Sequence, residues 1–349
     1  MKQRLALVSS CVLAWTGLFP ALAGDAPVPE DPDMRLLETD FYRYCDPLFE
    51  GARVLLGQMG HDGSPEYVLG LSGSVFKVAG GCPSRPTCVH DFWPADFFRR
   101  LGYEVQEYPC ADGDGNDVSG RMIEAVKASI DRGRPALVWH AFSYEEWDVV
   151  CGYDGAAGQF IGRSAQSGPV GYAREPWDRP KNSNVWGFGA VVVGDRRPGF
   201  DSRDAEIQSL ERAVAHANKT IDGDNFAEME GIQAYQKWAS LYAAPGAERG
   251  AADSYCHQVY SSVRKAAVAY LRGLADQYGG EAAPHLRDAA DRFGEEAEEL
   301  DRARPLVGWD SPWGVDEERS GRLAPILARA ADAYRRGMES LGRALPHLR

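Results

Sequence analysis

A run of apolar, β-branched segments in the middle of the chain limits its possible folds more than any other feature. Three segments follow one another with short polar connections: "RPALVWHAF" (134–142), "WDVVCGYD" (147–154) and "QFIGRS" (159–164). A fourth, "VWGFGAVVVG" (185–194), completes the run. Segments of this kind are typical of strands with buried faces. Because no helical pattern separates the first three, they indicate a sheet in an α+β protein rather than a βαβ repeat.

Helical patterns lie on both sides of this run. "CDPLFEGARVLLGQMG" (45–60) has apolar residues at helical spacing, with a start at Asp46–Pro47 and a stop at Gly60. Beyond about residue 201 the chain is helical throughout, with apolar residues on one face of each helix and Arg and Glu on the outer faces. The sequence therefore predicts an α+β domain over residues 24–200 and an all-helical domain over residues 201–349.

The N-terminus has the pattern of an export signal. "MKQR" is followed by an apolar run and an A-x-A site that ends at Ala23. Residues 1–23 are therefore predicted to be a secretory signal peptide, and the protein to be secreted or periplasmic. "LVSSC" offers an alternative, a lipoprotein anchored through Cys11. No other segment is apolar enough to predict a membrane span.

Charge limits the class of partner. The formal net charge is −13, and no stretch forms a basic block. Because phosphate binding requires clustered Lys and Arg, nucleic acid is not an expected partner.

The cysteines allow two interpretations. Six remain after residue 23, and an even number in an exported protein favours disulfides. Cys82 and Cys88 flank "PSRPT" and are suited to a local bridge, whereas Cys151 lies in an apolar strand, where inert buried thiols are common. Cys45 precedes a helix start, where the helix dipole lowers a thiol pKa, so it is either a nucleophile or half of a disulfide.

No cofactor or metal is predicted. No Cys/His spacing matches a zinc site. "DGDGND" at 112–117 places Asp117 and Ile123 where a calcium-binding EF-hand loop needs Gly and Glu. This segment is therefore interpreted as a polar loop before a helix.

Several of these segments together resemble the N-terminal domain of butirosin biosynthesis protein H and its bacterial relatives, a domain similar to papain-like bacteriocin-processing cysteine peptidases. The resemblance rests on the cysteine that opens a helix, on "GHDGSPEYVLGLSGSVFKV" (60–78), and on "GRPALVWHAF" followed by "EEWDVVCGYD". It covers roughly residues 40–165, and the helical remainder resembles the C-terminal part of many such proteins. It implies a papain-like fold with an antiparallel sheet and Cys45 at the nucleophile position. The implied ligand is a peptide or a small acyl or amide compound.

The sequence departs from this family at three positions. Relatives carry the catalytic His six residues before the Gly of "GYD", where this chain has Glu146. They carry an Asp or Asn after the next strand, where this chain offers Arg163, Ser164 and Gln166, and an oxyanion-hole Gln where it has Thr39. A carboxylate cannot form the thiolate–imidazolium pair that activates such a cysteine, so weak or absent peptidase activity is predicted.

His140, at the end of the strand beside Glu146, is the candidate replacement base. The candidate catalytic set is therefore Cys45, His140 and Glu146, with Tyr144, Trp147 and Asp148 as candidate ligand-binding residues. The leading hypothesis is a papain-like protein with a ligand cleft around Cys45 and Glu146 and degenerate catalytic residues. The alternatives are an active amidase or acyltransferase that uses Cys45 and His140, and a disulfide-stabilised binding protein without catalysis.

Overall fold

The structure is a computed structural model. It describes residues 33–349 except 62, 80–92, 166, 169–170, 184–187, 224, 245–250, 310 and 312–316. Residues 33–349 form one compact unit. The predicted signal peptide, Cys11 and the predicted Cys82–Cys88 bridge lie outside the described residues.

The described strands form one antiparallel sheet. They are β1 (Met34–Leu36), β2 (Tyr103–Tyr108), β3 (Ala136–Trp139), β4 (Trp147–Asp154), β5 (Gln159–Arg163), β6 (Ala173–Pro176) and β7 (Ala190–Arg196). Their order is β2-β7-β3-β4-β5-β6, with β1 paired to the C-terminal half of β4. The predicted α+β class with an antiparallel sheet is therefore confirmed.

Nine α-helices accompany the sheet within the described residues. They are α1 (Pro47–Gln58), α2 (Pro65–Ser72), α3 (Pro94–Arg100), α4 (Ser119–Asp131), α5 (Arg203–Ala217), α6 (Gly231–Ala243), α7 (Ala251–Tyr278), α8 (Ala282–Val307) and α9 (Glu317–Ala344). Among the residues that the structure describes, no helix combines the length and apolarity needed to cross a membrane.

The alternation of side chains along β3 places a hydrophobic core on each face of the sheet. Leu137 and Trp139 belong to the core that contains α1, whereas Ala136 and Val138 belong to a smaller core beneath α4. Helix α1 packs against β4 and β3. The charge of Glu146, just before β4, acts on Cys45, just before α1, so the N-terminus of α1 lies near the start of β4.

Residues 74–79, which we term the clamped segment, pass through the helical half of the protein. Side chains of α5, α7 and α9 satisfy its backbone polar groups, as buried groups require. These contacts are Arg264 to the carbonyls of Val75 and Lys77, Tyr334 Oη to Phe76 O, His216 Nε2 with Val78 N, and Tyr260 Oη with Ala79 N and O. The larger core is consequently continuous across residue 200, although β7 ends at Arg196 and α5 begins at Arg203. The division into two domains stays a prediction.

The predicted placement of Arg and Glu on outer helix faces is wrong for Glu206 of α5, which is 1% exposed, and for one buried ion pair. Arg264 on α7 and Glu296 on α8 are both 0% exposed and are joined Nε to Oε1 at 2.8 Å. Helical periodicity marks the face that meets other helices, but α7 also packs against the clamped segment, whose carbonyls need a cationic donor. A second buried face therefore lies where the pattern indicated solvent.

The disulfide prediction is also wrong. No two cysteine sulfurs lie within 4.5 Å of each other among the described residues. No disulfide therefore joins any two of Cys45, Cys110, Cys151 and Cys256. Cys151 is buried in β4, as its position in an apolar strand indicated. Core packing and the clamped segment, rather than covalent links between these four residues, hold the described fold together.

Candidate functional site

Cys45 lies at the N-terminal end of α1, one residue before the cap Asp46. The residue as a whole is partly exposed, whereas its thiol is densely surrounded by protein. Its backbone N–H donates to Ser262 Oγ of α7 at 2.7 Å. This bond fixes the backbone from which the thiol projects. The cysteine therefore stands where the first half of the chain meets α7.

Glu146 immediately precedes β4 and stands close enough to raise the thiol pKa of Cys45 by its charge. Its Oε1 accepts a hydrogen bond of 2.6 Å from Tyr255 Oη, and the residue is 8% exposed. Tyr255 and Ser262 are seven residues apart on α7, so they share one face of that helix. Neither residue was predicted from the sequence. Their seven-residue spacing is visible in the sequence, but it does not indicate that either residue lies near Cys45.

The thiol of Cys45 is held in its neutral form. Burial, then the charge of Glu146, then that of Asp46 raise its pKa well above the usual range. The expectation that the helix dipole would lower this pKa is therefore reversed. A helix N-terminus contributes at most about 2 kcal/mol, or roughly 1.5 pKa units, whereas burial alone shifts a pKa by up to about 3–5 units. Two carboxylates act in the same direction as burial.

Asp46 belongs to a second buried group behind the thiol. Its Oδ2 lies 3.4 Å from Lys77 Nζ, with Asp46 0% and Lys77 1% exposed. Lys77 is part of the clamped segment, and its ammonium also lies 5.6 Å from the Phe49 ring centroid. The charges that set the pKa of Cys45 include that of Asp46 but not that of Lys77. Lys77 therefore balances Asp46 rather than activating the thiol.

His140 is directed into its own loop. Its Nδ1 accepts the Glu145 N–H at 3.0 Å, and its ring packs edge-on against Tyr144, with the centroids 5.7 Å apart. Burial lowers its pKa, and the charges acting on it are those of Glu145, Arg179 and Glu175. No described contact joins this imidazole to Cys45. The structure thus brings together Cys45 and Glu146 but not Cys45 and His140.

The loop between β3 and β4 has a tightly bonded backbone. His140 (φ 58°) and Glu145 (φ 53°) both have left-handed backbone conformations. Asp148, which is 0% exposed, accepts hydrogen bonds from Phe142 N, Ser143 N and Ser143 Oγ at 2.7–2.9 Å. Burial nevertheless raises the pKa of Asp148 to about 6. Asp148 and the Glu145 backbone therefore shape the loop that presents Glu146.

The other candidate ligand-binding residues differ in exposure. Trp147 is 2% exposed and lies in an aromatic cluster with Trp139, Trp93 and Phe188, at centroid distances of 5.6, 5.7 and 6.0 Å. Tyr144 is 50% exposed. Of the three predicted residues, Tyr144 is thus the one whose side chain is open to solvent, while Trp147 and Asp148 make internal contacts.

Two residues at the remaining family positions contact Tyr172. The Thr39 N–H donates to Tyr172 Oη at 3.1 Å, and the Arg163 guanidinium lies 3.8 Å from the centroid of the same ring. Arg163 also donates to Thr39 O at 3.2 Å. Thr39 and Arg163 therefore support one another, and Gln166 lies outside the described residues.

No family model and no curated protein sequence matches the chain. Within the described part of the chain, no group of three or more His, Cys, Asp or Glu side chains is arranged to hold a metal ion.

Proposed function

We propose that this protein is an exported, papain-like member of the cysteine peptidase and acyltransferase group. In this proposal it binds a peptide or a small acyl or amide ligand beside Cys45 and Glu146, with weak or absent turnover. The observation that carries the proposal is the Glu146 carboxylate beside a buried thiol whose pKa lies well above its usual range. The order of elements, with a cysteine before α1 and Glu146 at the start of β4, supports the family resemblance.

Acid–base chemistry explains why turnover is expected to be weak. Ordinary pKa values are about 4.3 for Glu and 8.5 for Cys, so proton transfer from thiol to carboxylate is unfavourable by about four units. The state in which the proton has moved from the thiol to the carboxylate would then be populated at roughly one part in ten thousand, and the raised pKa of Cys45 lowers that fraction further. The ordinary pKa of an imidazole is only about two units below that of a thiol, and the cationic form of the imidazole stabilises the thiolate.

The charge of Glu146 indicates the ligand group that it would bind. A carboxylate has about four lone-pair sites, so it can accept from Tyr255 and from a ligand donor together. Charge-assisted hydrogen bonds from an ammonium or guanidinium group are about twice as strong as neutral ones. A peptide that carries Arg or Lys is therefore the preferred ligand within the proposed class.

A peptide-binding assay tests this function. Isothermal titration with short peptides that differ only in one Arg, Ala or Glu is expected to favour the Arg peptide. Glu146→Gln is expected to weaken binding of the Arg peptide at least about tenfold, since one charge-assisted hydrogen bond is worth about 1.5–3 kcal/mol. Glu145→Gln is the matched control and should leave the affinity for the Arg peptide unchanged. Mass spectrometry should find the peptide intact. Peptide cleavage that disappears in Cys45→Ser would contradict the proposal, as would equal binding of all three peptides.

A further inference from the structure

A cavity of about 730 Å³ lies at the C-terminal end of α1, away from Cys45. The 12 residues of α1 place it roughly 18 Å along the helix from that thiol. Arg132, Arg134, Arg196, Tyr67 and Tyr103 are among the residues that line it. Small-molecule sites commonly have volumes of about 300–1,000 Å³, so the size suits a metabolite rather than a single ion.

The lining is basic although the protein is acidic. Arg134 forms an ion pair with Asp195, the acidic residue of the lining. Arg132 and Arg196 form no ion pair with any described residue. Among the described lining residues, Arg132 and Arg196 thus have no acidic partner, in a chain whose net charge is −13.

Arg196 is held in position for binding. Its Nε donates to Leu101 O at 3.0 Å, and its guanidinium lies 4.8 Å from the Phe200 ring centroid and 5.7 Å from that of Tyr103. These contacts engage Nε and place two aromatic rings beside the guanidinium, and no described residue accepts a hydrogen bond from its terminal nitrogens. A planar, already ordered guanidinium matches the oxygens of a phosphate or carboxylate and loses little entropy on binding.

The helix dipoles do not provide this preference for anions. Ser64 and Ser202, at the N-termini of α2 and α5, border the cavity, but so do the C-terminal ends of α1 and α4 at Met59 and Arg132. The positive and negative helix ends largely oppose one another. The arginine side chains therefore decide the sign of the charge that the cavity accepts.

We propose that this cavity is a second ligand site, which binds a small molecule carrying a doubly negative oxyanion group. Arg132 and Arg196 contact that group, and the body of the ligand lies toward Tyr67. A phosphate monoester and a dicarboxylate share the required chemistry. The site does not depend on the function proposed for Cys45 and Glu146.

Isothermal titration of the whole protein with phenyl phosphate and, separately, with phthalate tests the proposal and distinguishes the two sources of negative charge. At least one probe should bind saturably. Arg132→Gln and Arg196→Gln should each weaken the affinity for that probe at least about tenfold, the usual effect of losing a charged hydrogen-bond partner. Arg121→Gln, an exposed arginine at the other end of α4, should leave the affinity unchanged.

Binding that is equal in the native protein and in both cavity variants would overturn the proposal, as would no binding of either probe. Anions that are excluded from protein surfaces stabilise proteins in general, and this effect would be the same in the variants. A loss of affinity in the variants therefore reports binding at the cavity. Arg132 is exposed and lies at the helix end, so Arg132→Gln tests the site even if Arg196→Gln disturbs the local packing.

Discussion

Arg264→Met is expected to lower the free energy of unfolding by about 3–5 kcal/mol, because it leaves the carboxylate of Glu296 buried and without its cation. The substitution also removes the donors to Val75 O and Lys77 O. These carbonyls lie in the clamped segment, where no water replaces the lost bonds without opening the core. Urea-induced unfolding followed by tryptophan fluorescence measures the change.

Two further variants separate the ion pair from general effects of the substitution. Arg272 pairs with Asp291 at 3.3 Å with both side chains more than 60% exposed, so Arg272→Met should cost at most about 1 kcal/mol. Combining Arg264→Met with Glu296→Leu should recover part of the loss, since no charge is then left buried. Equal destabilisation by Arg264→Met and Arg272→Met would show that the buried pair does not support the clamped segment.

Glu146→His is expected to raise the rate of Cys45 alkylation by iodoacetamide at neutral pH at least about tenfold. The change removes a negative charge that raises the thiol pKa and supplies an imidazole whose cation lowers it, and an opposite charge within reach lowers a pKa by about 1–3 units. Glu146→Gln removes only the charge and should give a smaller increase. Peptide mapping by mass spectrometry assigns the reacted cysteine.

Glu145→His provides the matched control. Glu145 is the neighbouring carboxylate, but it accepts from Ser183 Oγ at 2.6 Å and acts on His140 rather than on Cys45. Its substitution should therefore leave the alkylation rate unchanged. A similar rate in both histidine variants would mean that Glu146 has no special relation to the thiol.

Local signals in the sequence predicted much of the fold. Asp46–Pro47 marks the start of α1, and the apolar run from residue 134 contains β3, β4 and β5. Strands β1 and β6 were not predicted, because "MRL" and "AREP" lack the apolar, β-branched pattern of the other segments and are stabilised by pairing with β4 or β5. Strand pairing of this kind depends on partners far along the chain.

The candidate site was predictable only in part. Counting from Gly152 placed Glu146 near Cys45, and the structure brings the two together. The contributions of Tyr255 and Ser262 could not be found, since they come from a helix more than 200 residues after Cys45 in the chain. The raised pKa of Cys45 was missed for a related reason. A helix start is a local feature, whereas burial depends on how α7 packs over it.

The most direct test of the central claim is the pH dependence of Cys45 alkylation in the native protein, followed on the peptide that contains Cys45, with Cys45→Ser as the blank. A raised pKa means less thiolate at any given pH, so the rate should be low at neutral pH. It should still be rising above about pH 9, beyond the usual cysteine pKa of about 8.5. A fast reaction with a plateau beginning below about pH 7 would reveal an activated thiolate and would contradict the account.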